Sequence, residues 1–190
     1  MCPDGCLILK NMNFKQTFET LVQSFEKENL PYALIGGFAL EAAGVVRATM
    51  DIDLLVLSRN KDSIKSIMRR NGYTILHESK EVINFIGDEA NPGRVDFLLA
   101  HRKYAVSMLK RAQKKMVFGG KTKTYVVAPE DLIGLKVQAA ANDPDRFEQE
   151  MIDIRMVLNN CPAPLDHNRI NEYFELFDMQ EVYDKLTHAD

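Results

Sequence analysis

Two aspartates separated by one apolar residue open the run Asp51-Ile52-Asp53-Leu54-Leu55-Val56-Leu57, whose composition is that of a strand. Side chains alternate along a strand, so both carboxylates emerge on one face, about 7 Å apart, with Ile52 and Leu54 on the other. Like charges at that spacing beside a buried sheet destabilise the fold unless a cation lies between them. Hard divalent ions such as Mg²⁺ take such oxygen ligands and complete their shell with water and substrate phosphate.

Upstream, Gly36-Gly37 separates the apolar run Tyr32-Ala33-Leu34-Ile35 from a short helical stretch, Phe38 to Ala43. A glycine pair there either makes a tight turn or lets the backbone approach an anion and aim N–H groups at it. A phosphate cradle followed by a carboxylate pair is what a nucleoside triphosphate with Mg²⁺ requires. The stretch is neither a P-loop, which ends in Gly-Lys-Ser/Thr, nor a Rossmann fingerprint.

A third carboxylate, Asp96, lies in Arg94-Val95-Asp96-Phe97-Leu98-Leu99. Its apolar neighbours make it an awkward, partly desolvated acid unless it joins the same site. Three carboxylates on neighbouring strands suit two-metal phosphoryl or nucleotidyl transfer. One ion holds the triphosphate and the other acidifies the attacking hydroxyl. Arg47 and Thr49 precede the carboxylate strand, where they contact phosphate or shape the turn. Lys136, inside an otherwise apolar helix, either reaches the β- or γ-phosphate or snorkels to the surface. Asp153 reads as a salt-bridge partner of Arg146 or Arg155. His77, His101, His167 and His188 have no mutual spacing that suggests a metal site or a nucleophile's base.

The elements that position these residues follow from periodicity. Phe14, Phe18, Leu21, Val22 and Phe25 recur at helical spacing, and that helix ends near Asn29 and Pro31. Asn60 to Asn71 reads as a helix closed by Gly72. Tyr73–His77, Val82–Ile86 and Arg94–Leu99 read as strands, the last two joined by a turn with Asn91-Pro92-Gly93. A helix over Tyr104–Ala112 and a hairpin around Gly119-Gly120 follow. Pro129 suits a first helical position, with Glu130 and Asp131 in the first turn. Asp143-Pro144 starts a helix to about Leu158, and Cys161-Pro162-Ala163-Pro164 precedes one or two terminal helices. The order predicts an α+β fold in two parts. Residues 1–127 form a mixed sheet flanked by helices, and residues 128–190 form a helical C-terminal extension packed on that core.

The 190 residues are 46% apolar and 27% charged, which excludes a disordered chain. No run approaches the roughly 18–20 apolar residues of a membrane span, and the first residues lack a basic signal-peptide start. Three cysteines, with Cys2 and Cys6 unmatched by any second ligand pair, suit a reducing cytoplasm. The net charge of −3 is unevenly spread. No acid lies between Asp96 and Glu130, a stretch carrying Arg102, Lys103, Lys110, Arg111, Lys114, Lys115, Lys121 and Lys123. That stretch is either a solvated face, a complement to the acidic tail, or a surface for a polyanion such as RNA.

The run Ile35-Gly36-Gly37-Phe38-Ala39 through Gly44, Arg47, Thr49 and Asp51-Ile52-Asp53 resembles the signature of the DNA polymerase β-type nucleotidyltransferase superfamily. It looks closest to the small bacterial branch with the abortive-infection (AbiE-type) toxin nucleotidyltransferases. Pro129-Glu130-Asp131-Leu132-Ile133-Gly134-Leu135-Lys136, with Arg146 and Asp153-Ile154, is also similar to that branch.

The resemblance implies the nucleotidyltransferase fold, with Mg²⁺ or Mn²⁺ on Asp51 and Asp53. Asp96 would complete the site and help deprotonate the acceptor, and Gly36 and Gly37 would hold the triphosphate. Many members have Ser where this chain has Gly37, so backbone alone would serve phosphate there. The expected activity is transfer of a nucleoside monophosphate from an NTP to a hydroxyl of RNA, protein or a small molecule, with pyrophosphate released. A toxin held by an antitoxin protein fits that branch. The alternative is a non-catalytic or partner-dependent nucleotide-binding module that keeps the fold.

Overall fold

The computed structural model describes residues 14–89, 91 and 93–187; Cys2, Cys6, His188 and the turn residue Pro92 lie outside them. The element order is α1 (Phe14–Lys27), β1 (Tyr32–Ile35), α2 (Gly36–Ala42), β2 (Asp51–Leu57), α3 (Lys61–Arg70), β3 (Tyr73–Glu78), β4 (Val82–Gly87), β5 (Arg94–Ala100), α4 (Lys103–Arg111), β6 (Gln113–Val117), β7 (Thr122–Val126), α5 (Pro129–Asn142), α6 (Phe147–Asn160), α7 (His167–Leu176) and α8 (Gln180–Thr187). The chain divides into two compact units. The first holds the sheet and runs through Ala39 and then Arg47–Val127; the second takes Leu40–Val46 and the chain from Ala128 on. The assignment of Leu40–Val46 to the helical unit was not expected, since nothing in those seven residues distinguishes them from the rest of a short helix and its loop.

In the first unit, seven strands form one mixed sheet in the order β3-β4-β5-β2-β1-β7-β6. β2 runs parallel to β5 and β1 parallel to β7, while the other neighbours are antiparallel. One side of this sheet is dry. Ile52, Leu54 and Val56 of β2, Val95, Phe97 and Leu99 of β5, and Ile83 and Phe85 of β4 are buried. α1 and α3 touch one another and bury Phe18, Leu21, Phe25, Ile64, Ile67 and Met68 at helical spacing. Phe25 meets Phe97 edge-on at 6.1 Å, and Phe97 meets Phe85 at 5.6 Å. Alternation then forces Asp51, Asp53, Arg94 and Asp96 onto the opposite side, where each is only half buried.

The second unit is helical. Pro129 opens α5 as expected, its missing N–H being one the first turn does not need. α5 buries Leu132, Ile133 and Val137, and with them Glu130, Asp131 and Lys136. Asp143 caps the short turn before α6 by accepting from the Asp145 amide at 3.1 Å. Two terminal helices close the unit, and Asp166 caps the first of them through the Arg169 amide. Among the described residues no helix is long and apolar enough to cross a membrane.

Candidate active site

Sheet register brings the expected carboxylates together. β2 pairs with β5 so that Asp53 faces Asp96 directly and Asp51 faces Arg94. Adjacent strands lie about 4.8 Å apart, so Asp53 and Asp96 emerge side by side. The row continues to Asn84 on β4 and His77 on β3. On the other flank, Ile35, the last residue of β1, faces Asp53. The chain turns at that point, which delivers Gly36-Gly37 to the carboxylates.

Both glycines are required by what they touch. Gly36 has φ +64°, a left-handed conformation open to glycine. A β-carbon there would collide with Asp53 Oδ2 and lie 2.6 Å from its Cγ. At Gly37 a β-carbon would lie 2.6 Å from both Cβ and Oγ1 of Thr49. Thr49 Oγ1 in turn donates to the Asp51 carbonyl at 3.3 Å, which fixes the entry to β2. Gly36, Gly37, Thr49, Asp51 and Asp53 thus form one close-packed cluster. Arg47 is exposed on the segment that leads into it.

The electrostatics are unbalanced. Arg94 donates from Nη2 to Asp96 Oδ2 at 3.1 Å. Asp96 Oδ1 is buried and accepts no hydrogen bond, and Arg94 Nε is likewise buried without a partner. Burial pushes the Asp51 carboxyl above its ordinary range; Arg94 pulls it back, and Asp96 raises it further. Arg94 was not among the residues the sequence singled out. Its signal was present, because a residue two positions from Asp96 on a strand shares its face.

Lys136 is elsewhere engaged. It belongs to the second unit, where its ammonium donates to Glu150 Oε2 at 2.9 Å and Asp153 Oδ2 at 2.5 Å. The phosphate contact weighed for it is replaced by a buried ion cluster. The same cluster adds partners to Asp153 that were not expected, Lys136 and Gln149. Arg146 pairs instead with Glu150.

Among the described residues no three His, Cys, Asp or Glu side chains converge as a ready-made metal cage. A Mg²⁺ ion asks for less than a cage, since it is held by one or two carboxylates with substrate phosphates and water. Asp51 and Asp53 on one strand, with the unpartnered Asp96 Oδ1 beside them, match that donor set.

The fold is that of the nucleotidyltransferases. Antibiotic-resistance factor ANT(2'')-Ia superposes with TM-score 0.65 at 15% identity over 94% of this chain and 99% of that one. An antigenic nucleotidyltransferase-like protein from Paracoccidioides brasiliensis gives 0.55 at 12% identity over 93% and 94%. The lincosamide antibiotic adenylyltransferase LnuA gives 0.51 at 15% identity over 76% and 96%. No protein-family model and no curated protein sequence matches the chain.

Proposed function

We propose that the protein is a Mg²⁺-dependent nucleotidyltransferase that moves a nucleoside monophosphate from an NTP to a hydroxyl acceptor. The observation that carries this reading is the register that sets Asp53 beside Asp96 with Gly36 packed against Asp53. Asp51 and Asp53 hold Mg²⁺ (or Mn²⁺), with Asp96 as third carboxylate. When bound, the ion neutralises phosphate charge and lowers the pKa of the attacking hydroxyl. The backbone of Gly36-Gly37 approaches the triphosphate where any side chain would be in the way. Thr49 keeps that turn closed, and Arg47, on the exposed approach, contributes positive charge to the triphosphate.

The acceptor oxygen attacks the α-phosphorus, the bond from that phosphorus to the bridging oxygen breaks, and pyrophosphate leaves. Asp96 Oδ1 takes the acceptor's proton, since its other oxygen is held by Arg94. Arg94 also keeps Asp96 oriented while the site is empty of phosphate. The protein's share of the catalysis is positioning and preorganised charge.

The motif's likeness to the AbiE-type branch supports a cytoplasmic toxin restrained by an antitoxin protein. The fold neighbours instead include a protein solved with adenylyl-2''-tobramycin and one solved with lincomycin. The testing assay therefore offers α-labelled NTPs with Mg²⁺ to RNA, tobramycin and lincomycin, and measures both label transfer and pyrophosphate. Label should move to one acceptor class with equimolar pyrophosphate, and Asp51→Ala with Asp53→Ala should abolish both. Transfer that survives the double substitution would refute the assignment.

A further inference from the structure

The β6–β7 hairpin closes one edge of the sheet, and its two sides differ sharply. Val126, Thr124 and Thr122 point to the α1 side and are buried. Thr122 donates to Glu19 of α1 at 2.8 Å, and Thr124 shares a 3.1 Å hydrogen bond with Tyr32. The alternate residues Lys121, Lys123 and Tyr125 are exposed. Register pairs Lys114 with Tyr125 and Met116 with Lys123, so all four of these side chains share the outward side. Met116 is 48% exposed and Tyr125 38%. Lys114 Nζ lies 5.1 Å from the centre of the Tyr125 ring, and Tyr32 braces that ring edge-on at 6.0 Å. Leu34 pairs with Val126, and Ile35 with Asp53, so the exposed residues of β7 emerge on the side of the sheet that carries Asp53.

Lysines on an edge strand serve to block edge-to-edge pairing. That role accounts for Lys114 and Lys115 on β6. It does not account for Lys123 on β7, an inner strand, or for an exposed Tyr and Met set between the lysines. Cations alternating with an aromatic and a thioether, in a stretch without one acid from Phe97 to Pro129, match a phosphate backbone with bases stacked between its charges.

We propose that this outward face, Lys114, Met116, Lys123 and Tyr125 with Lys121 at the turn, docks single-stranded RNA. Its use as the track for an acceptor strand rests on the nucleotidyl-transfer reading. β7 is two strands from β2, about 10 Å across the sheet.

The test is fluorescence anisotropy with a 5′-labelled oligouridylate 12-mer, the duplex of the same length, and oligoglutamate as competitor. The wild type should bind the single strand, weakening about ten-fold between 50 and 200 mM salt. Lys114→Gln with Lys123→Gln should flatten that salt dependence, and Tyr125→Ala should cost about ten-fold at any salt. Equal binding of the duplex, equal competition by oligoglutamate, or variants that bind as wild type would overturn the docking face. Stabilisation by Mg²⁺ and NTP, measured on the same samples, reports on the catalytic reading separately. A wild type that binds nucleotide but not the single strand refutes the docking surface alone, and one that binds the strand but no nucleotide refutes the transferase alone.

Discussion

Each unit of the protein gathers carboxylates, and it treats them in opposite ways. In the helical unit, Glu130, Asp131, Glu150 and Asp153 are more deeply buried than any acid of the sheet site, yet each has a partner close at hand. Glu150 and Asp153 share Lys136, Gln149 donates to Asp153, Tyr173 donates to Asp131 at 2.7 Å, and the Asp166 amide donates to Glu130 at 3.0 Å. In the sheet unit, Asp51 and Asp96 are less buried; Arg94 pairs with Asp96 and also draws on Asp51, and one oxygen of Asp96 is left without a hydrogen bond. Burial alone therefore does not mark a working acid. Compensation is the difference: the helical cluster is matched by its lysine, amide and hydroxyl donors, whereas Asp96 Oδ1 lacks a hydrogen bond, and it is this oxygen that the proposed function puts to work.

That contrast can be broken at its structural end first. Lys136→Ala leaves two buried carboxylates facing each other and should cost about 3–5 kcal/mol in denaturant unfolding. Lys136→Met combined with Glu150→Gln and Asp153→Asn should recover most of that loss. If the single substitution were neutral, the cluster would not be the strut described here. Next in size is Gly36→Ala, which drives a methyl into the Asp53 carboxylate at positive φ. About 2 kcal/mol of stability should go, on the scale of strained left-handed residues, and Mg²⁺-dependent NTP binding should go with it. Tyr173→Phe removes the donor to Asp131 and should cost about 1–2 kcal/mol, with nucleotide binding unchanged.

The smallest effect has the opposite sign. Because burial raises the Asp51 carboxyl, the folded chain holds that proton more tightly than the unfolded chain does. Stability from this group therefore falls as pH rises through the carboxylate range to the raised folded value. Asp51→Asn should lift Tm by about 1–3 °C at neutral pH. The gain should vanish below about pH 4, where the unfolded aspartate also keeps its proton. A thermal melt across pH 3–8 reads both, and an equal gain at pH 3 would remove the electrostatic explanation.

Local rules carried much of this in the sequence. Period-two alternation places Asp51 with Asp53, the glycine pair marks the β1–α2 turn, and Pro129 with its following acids starts α5 as written. Most strands and helices also fall within a residue or two of where periodicity puts them, whereas β6, β7 and α6 begin about three residues away from the expected starts. What sequence could not supply is pairing at a distance. Lys136 meets its partners 14 and 17 residues along the chain, on a different helix, and no local pattern separates that from a snorkelling lysine. The face-to-face register of Asp53 and Asp96 needed the sheet order, as did the row through Asn84 and His77. Arg94 lies between these cases: alternation shows it beside Asp96, but its register opposite Asp51 comes from β2–β5 pairing.

The measurement that reaches the central claim most directly is thermal unfolding with each of the four NTPs, with and without Mg²⁺. It is run on the wild type and on Asp51→Ala with Asp53→Ala. At about a hundred times the dissociation constant, binding adds about 2.7 kcal/mol, or about 5–10 °C for a chain of this size. The account predicts that rise for at least one NTP, only with Mg²⁺, and none in the double variant. A rise that ignores the metal, or that persists without the two aspartates, would contradict it.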